Sequence, residues 1–141
     1  MKAFMMMYIL NSKLPKIPAY GPSSFQVRHT TASNVEIGVA VGLVAAIQGV
    51  SPDDILTPSR NQARIALARQ LAMYMTHVAL GCSLTTTGRL FKRHRTTVSH
   101  ACGRIEDMRD DKKFDQALNT LEAVLHFAAV DQSNIVDRSV Q

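Results

Sequence analysis

The sequence is poor in aromatic residues and cysteine: aromatics make up 6% of its 141 residues, tryptophan is absent and two cysteines occur. Two cysteines cannot support a disulfide-rich domain, and Cys82 and Cys102 do not have the spacing of a zinc signature. His77, His94 and His100 would complete a loose Cys/His set, but a buried thiol beside surface imidazoles is the simpler interpretation. We therefore predict no metal and no cofactor, and a reducing cytoplasm as the setting.

Long apolar runs are also missing. The longest interior run, residues 39–47, has nine residues, about half of the ~18 that a membrane span needs. Residues 3–10 are all apolar and resemble a signal-peptide core, but Lys13 and Lys16 follow them and no cleavage pair is in place. We predict no membrane partner and interpret residues 1–32 as an irregular tail. A later translation start and a membrane tether are the alternatives for this segment.

Acidic residues are absent from one long block. Residues 60–104 contain eight Lys and Arg and no Asp or Glu, within a chain of net charge +5. Residues 105–141 contain eight acids against four bases. The basic block indicates a polyanionic partner, and the acidic third leaves room for a protein partner.

Helix start and stop signals predict an all-α fold of about six helices. Ser33 and Glu36 form a capping box before an apolar stretch over residues 35–48, although the alternation at 35–41 would also suit a strand. Gly49 predicts a helix end, and Ser51 with Pro52 predicts a short helix through residue 56. A long helix is expected over residues 62–80, with an inward stripe of Ile65, Ala68, Leu71, Ala72, Met75, Val78 and Ala79.

The second half of the chain predicts three further helices. A short helix over residues 84–91, capped by Ser83, is followed by a tight turn at 92–94 and a helix over about 95–108. Apolar residues from Phe114 to Leu125 predict a final helix, and residues 130–141 are expected to form a frayed tail. The predicted domain spans residues 33–129.

The two helices around the turn at 92–94 have the pattern of a helix-turn-helix. On the second helix, Thr96, His100 and Gly103 lie opposite the apolar stripe, so short polar side chains would face outward. Such a face suits a helix that enters the major groove, although a merely solvated face has the same appearance. No nucleophile and base pair, carboxylate dyad or phosphate-binding loop occurs, so we predict that the chain is not an enzyme.

Specific residues resemble the C-terminal DNA-binding domain of the bacterial chromosomal replication initiator DnaA. The resemblance covers about residues 35–128 and includes the stretch Val44-Ala-Ala-Ile-Gln-Gly-Val-Ser-Pro-Asp-Asp-Ile-Leu56. Its most specific part is Ser83-Leu84, Gly88, Phe91 and Thr96-Thr97-Val98-Ser99-His100-Ala101-Cys102, continuing into Arg104-Ile105-Glu106.

The resemblance also shows departures from the family. No Walker-type phosphate loop occurs, and 141 residues leave no room for the initiator's ATPase, so we expect the DNA-reading domain to act alone. Between Phe91 and Thr96 the chain is one residue shorter than the family signature, and His94 and Arg95 stand where the family has its base-reading Asp-His. Replacing that carboxylate with an imidazole removes an acceptor for cytosine N4.

The resemblance implies sequence-specific binding of double-stranded DNA, in transcription regulation or at a replication origin, by a cytoplasmic, nucleoid-associated monomer. The alternative is an interaction module that binds the replication machinery, for instance the initiator itself, through the acidic C-terminal third. Arg60 would enter the minor groove, Arg69 and Lys92 would grip phosphates, and Arg95 and Thr97 would read bases. The full set of predicted DNA-binding residues is Arg60, Arg69, Gln70, Thr85, Lys92, Arg93, His94, Arg95, Thr96, Thr97, Ser99 and His100.

Overall fold

A computed structural model describes residues 34–57 and 62–138, with side chains as far as residue 128. Within these ranges the chain forms six α-helices, one π-helical turn and no strand. The helices are α1 Asn34–Gln48, α2 Pro52–Leu56, α3 Ala63–Tyr74, α4 Leu84–Leu90, α5 Arg95–Met108 and α6 Lys112–Arg138, and the π-helical turn is Met75–Ala79. The all-α fold is confirmed. The predicted tail, Ser33 of the capping box and Arg60 lie outside the described residues.

Most helix boundaries follow the predicted local signals. The Ser51 hydroxyl accepts the Asp53 N–H at 3.2 Å to begin α2, and the Ser83 hydroxyl accepts the Thr86 N–H at 3.0 Å to begin α4. Gly49 has a φ of 63°, which lies in the left-handed region that favours glycine. These polar caps satisfy backbone groups that the helices themselves leave unpaired.

Helix α3 lies at the centre of the domain, where it packs against α1, α2 and α5. Of the predicted inward stripe, five members are buried, namely Ile65, Ala68, Leu71, Ala72 and Met75. Met73 and Tyr74, which lie outside that stripe, are buried as well. Because α3 is surrounded by other helices, its side chains are buried on more than one face of the helix.

The prediction of one continuous α-helix over residues 62–80 is wrong at its C-terminal end. After Tyr74 the backbone widens into the π-helical turn, in which the Leu80 N–H donates to the Met75 carbonyl at 3.1 Å. A π turn contains more residues than an α turn and therefore rotates the side chains that follow it. As a result Val78, predicted to point inward, is 43% exposed, whereas Thr76 is buried and donates to the Ala72 carbonyl at 2.8 Å.

Helix α6 closes the domain against α1 and the π-helical turn. Its predicted apolar stripe is confirmed, since Phe114, Leu118, Leu121 and Leu125 are buried. The backbone stays helical to Arg138, past residue 129 where the sequence predicted a frayed tail. The reason lies in the sequence, because no glycine or proline interrupts residues 112–138. Within the described residues no helix is both long and apolar enough to span a membrane.

A polar cluster around Arg109 fixes the C-terminal end of α5. The Arg109 guanidinium donates to Asp115 at 2.6 Å, to the Tyr74 hydroxyl at 2.7 Å and to Glu122 at 3.0 Å, and it also contacts Asn119. Burial acts to lower the pKa of Arg109, but its hydrogen bonds to Asp115 and Tyr74 raise that pKa above its ordinary value. The cluster therefore ties α5 to α3 and α6 through a charged side chain that stays protonated.

Candidate nucleic-acid interface

Helices α4 and α5 with the turn between them form the predicted helix-turn-helix. Val98, Ala101 and Ile105 are buried on one face of α5, which packs against α3 and α4. The opposite face of α5 is left to solvent. The two helices thus pack as one unit, whose outer surface includes one face of α5 and the turn before it.

Gly88 and Phe91 determine the shape of the turn. Phe91 is fully buried, and the Arg93 N–H donates to the Gly88 carbonyl at 2.8 Å. A Cβ atom added at Gly88 would lie 2.6 Å from the Arg93 backbone oxygen, so only glycine allows this close approach. Lys92 has a φ of 52°, a conformation that non-glycine residues seldom adopt. The glycine was noted in the sequence only as a family match, because its role depends on a backbone contact five residues away.

His94 begins α5 as its N-cap residue. Its Nδ1 atom accepts the Thr96 N–H at 3.3 Å and lies 2.8 Å from the Thr96 hydroxyl. Side-chain acceptors of serine, threonine, asparagine and aspartate usually hold this position, so the histidine acts here in place of an aspartate or serine. From the sequence His94 was predicted only as a DNA contact, and its capping role was not predicted.

The outer face of α5 brings together most of the predicted base-facing residues. Thr96, Thr97, Ser99 and His100 are exposed on it. Gly103 is exposed farther along the helix, and a Cβ atom there would meet nothing within 4 Å. The face is therefore polar, and apart from the His100 imidazole its side chains are short.

Basic side chains surround this face. Arg89, Lys92, Arg95 and Arg104 are exposed and Arg93 is half-buried. None of these five basic side chains forms an ion pair with a carboxylate among the described side chains. The positive charge is concentrated at the turn and the start of α5, because the two acids of that helix, Glu106 and Asp107, lie at its C-terminal end.

The structure does not place Arg69 on this surface, so its predicted role as a phosphate anchor needs correction. Arg69 is 6% exposed, and its guanidinium donates to the carbonyls of Ile55 at 2.8 Å, Asp54 at 2.8 Å and Thr57 at 2.6 Å. Burial, assisted by the nearby charge of Arg93, lowers the pKa of Arg69 below its ordinary value. Arg69 closes the C-terminal end of α2, where helix carbonyls lack partners.

The remaining predicted contacts are more scattered. Gln70 is half-buried, and its Oε1 atom is buried without a hydrogen-bond partner among the described residues. Thr85 is exposed in the first turn of α4. Neither shares the outer face of α5, and Arg60 falls outside the described residues.

Among the described residues, the cysteines and histidines do not come together as metal ligands. Cys82 is buried and its carbonyl lies 2.7 Å from His77 Nδ1. Cys102 is half-buried, and burial, with the charge of Glu106, raises the pKa of its thiol to about 11. The part of the chain that the structure describes contains no group of three or more His, Cys, Asp or Glu that could hold a metal ion.

Comparison with known proteins agrees with this architecture. The family model of the bacterial dnaA protein helix-turn-helix matches residues 40–105, from α1 into α5. The chain is 40% identical over 65 residues to the chromosomal replication initiator protein DnaA of Pseudothermotoga lettingae, covering 46% of this chain and 14% of that protein. It is 38% identical over 85 residues to DnaA of Bifidobacterium animalis subsp. lactis, covering 60% of this chain and 14% of that protein.

A third relative is DnaA of Aquifex aeolicus, 38% identical over 84 residues, with 58% of this chain and 21% of that protein covered. The chain thus spans only about a fifth or less of the length of these relatives. The resemblance seen in the sequence is confirmed over the segment that builds α1 to α5. Residues 40–105 of this chain are thus similar to the helix-turn-helix of bacterial DnaA proteins.

Proposed function

We propose that the chain binds double-stranded DNA sequence-specifically, with α5 in the major groove. The observation that carries the proposal is the outer face of α5, which combines short polar side chains with basic residues that no described carboxylate neutralises. A DnaA-type helix-turn-helix supports duplex DNA as the partner at this level.

The dimensions of the face suit the major groove. That groove is about 12 Å wide and admits an α-helix whose outward side chains are short. Thr96, Thr97 and Ser99 supply hydroxyls for base edges, and the threonine methyls can contact thymine methyl groups. At Gly103 the helix backbone itself can approach the DNA, because no side chain intervenes.

The charged residues divide into two roles. Arg95 is exposed in the first turn of α5, where a guanidinium reaches base edges. Arg89, Lys92, Arg93 and Arg104 flank the helix, and their long side chains suit phosphates, which fix register but carry no sequence information. Thr85 and Gln70 would contribute at the edge of the interface, and Arg60 would contact the minor groove from the segment before α3.

The process we assign is regulation at DnaA-box-like sites, at a replication origin or a promoter. It rests on the DnaA relatives and on the shared helix-turn-helix. We propose that the chain binds as a monomer, in the cytoplasm and associated with the nucleoid. Sedimentation of the free protein as a stable dimer would contradict the monomer.

Equilibrium binding of variants to two duplexes tests the proposed function. Arg95→Ala or Thr97→Ala should cost about 1–3 kcal/mol on a duplex selected from a random pool, and much less on unselected duplex. Lys92→Ala should weaken binding to both duplexes by the same factor. It should also lower the salt slope, that is the slope of the logarithm of the binding constant against the logarithm of the salt concentration, by about one unit, since each phosphate contact contributes ~0.9. The measurement is fluorescence anisotropy at several salt concentrations.

Two results would contradict the proposal. If Arg95→Ala loses the same affinity for both duplexes, Arg95 at the start of α5 does not contribute to sequence recognition. Indifference of the wild-type chain to duplex at moderate salt would favour the interaction module instead, with its acidic residues on α6 and at the α5 end as the contact surface.

A further inference from the structure

We propose that His94 and Arg95, at the start of α5, present hydrogen-bond donors and no acceptor to the DNA bases. They would thereby select guanine at the base pairs they face. This inference rests on the proposed function and specifies which bases the N-terminal end of the helix recognises. It follows from the hydrogen bonds that His94 makes with its own helix.

The capping contact fixes the tautomer of His94. A backbone N–H can only donate, so the Nδ1 atom that receives the Thr96 N–H must be the unprotonated ring nitrogen. The Thr96 hydroxyl, 2.8 Å from the same atom, then donates to it as well. In the neutral imidazole the proton therefore lies on Nε2, and the ring nitrogen not used by the cap is a donor.

Arg95 adds further donors beside it. A guanidinium has five N–H groups and no acceptor. Arg95 is exposed, and residues 60–104 contain no acid that could supply a carboxylate at this end of the helix. His94 and Arg95 together thus offer N–H groups to the groove without an acceptor of their own.

Donor groups distinguish base pairs in the major groove. Guanine presents two acceptors there, N7 and O6, whereas cytosine presents only its N4 amino group, which needs an acceptor. Adenine presents one acceptor beside an amino donor that would oppose an N–H group. Thymine presents one acceptor, O4, beside a methyl group, so guanine is the only base with two acceptors and no donor at this edge. The two side chains therefore match guanine best and are mismatched to cytosine on the strand they contact.

Two substitutions separate base reading from helix capping. Aspartate and serine are both favoured N-cap residues, so His94→Asp and His94→Ser should keep α5 intact. Aspartate replaces the Nε2 donor with acceptors, and the serine side chain is too short to contact a base. Thermal unfolding within a few degrees of wild type would show that both variants fold.

The experiment begins with selection of a preferred duplex from a random pool by the wild-type chain and by each variant. Binding is then measured with guanine at the proposed positions replaced singly by 7-deazaguanine, which lacks the N7 acceptor, or by cytosine. For wild type we expect a loss of about tenfold for cytosine, with a smaller loss for 7-deazaguanine. His94→Asp should shift its selected base toward cytosine, and His94→Ser should tolerate all bases at that position.

The outcomes distinguish this inference from the function on which it rests. The wild-type chain could bind specifically while His94→Asp and His94→Ser show the same base preference as wild type. That result would overturn base selection by His94 and Arg95 and leave DNA binding intact. Loss of guanine preference in Arg95→Ala but not in either His94 variant would overturn the role of His94. Failure of the wild-type chain to bind any duplex would overturn both.

Discussion

Replacing Arg69 with methionine separates a structural arginine from a DNA-contacting one. Methionine keeps an apolar stem of similar length but removes the donors to Ile55, Asp54 and Thr57. A hydrogen bond in which one partner is charged stabilises the folded state by about 1.5–3 kcal/mol net. With the low end of that range for each of the three bonds, Arg69→Met should lower the free energy of unfolding by about 4–5 kcal/mol.

The same substitution should leave the DNA contacts unchanged. Because the Arg69 guanidinium is buried against α2, Arg69→Met should not alter the salt slope of duplex binding at a temperature where the variant is folded. Lys92→Ala is the matched control, since it removes an exposed charge from the turn. That variant should keep the stability of wild type and lower the slope by about one unit.

Urea unfolding and anisotropy at several salt concentrations measure the two effects on the same preparations. Unfolding of Arg69→Met at the wild-type urea concentration, together with the loss of one unit of salt slope, would contradict a structural role for Arg69. That pattern would return Arg69 to the phosphate contact that the sequence predicted. Arg69→Lys should resemble Arg69→Met, because one ammonium cannot reach three carbonyls in the geometry of a planar fork.

Three further predictions concern the core and the turn. Gly88→Ala should lower the free energy of unfolding by about 1–3 kcal/mol, because its Cβ atom would lie 2.6 Å from a backbone oxygen. Gly103→Ala places its Cβ atom where nothing lies within 4 Å, so it should raise the free energy of unfolding by about 0.5–1 kcal/mol while weakening duplex binding. The buried Thr87 hydroxyl lacks a partner among the described residues, so Thr87→Val should stabilise by about 1 kcal/mol, whereas Thr76→Val should destabilise by a similar amount. Burial, with a hydrogen bond to a carboxylate, raises the pKa of Tyr74 above its ordinary 10.0, so the folded state retains this proton more strongly than the unfolded chain. Stability should therefore fall above pH 10 and should fall less in Tyr74→Phe, as urea unfolding at pH 9 to 11 would show.

Local signals in the sequence predicted the helices well. Ser51, Ser83 and Gly49 mark boundaries through contacts within a few residues, and the structure confirms each of them. The apolar stripe predicted for α5 comprises Val98, Ala101, Cys102, Ile105 and Met108, of which Val98, Ala101 and Ile105 are buried and the other two half-buried. Elements of this kind depend on interactions that are close in sequence.

Features that depend on distant residues were missed. Arg69 bonds to carbonyls 12 to 15 residues earlier, and Tyr74 meets Arg109 from 35 residues away. The π-helical turn that exposes Val78 has no marker in the sequence, since no glycine or proline interrupts it. The set of DNA contacts predicted from the sequence was therefore too large, because it included Arg69, which is buried.

The candidate site was predicted in outline rather than in detail. Its helix, its turn and its exposed threonines follow from spacing and from the DnaA resemblance. The capping role of His94 does not, because it depends on the orientation of one ring relative to the Thr96 N–H. This contact matters most for which base the helix would read.

We expect duplex DNA to contact the outer face of α5 and the turn before it. Titrating isotope-labelled protein with a selected duplex and following backbone amide shifts would test it most directly. We predict that the largest shifts cluster in the turn and along α5, at residues 92–104, and that α1 and α6 change little. Shifts concentrated on α6, or none at saturating duplex, would contradict the account.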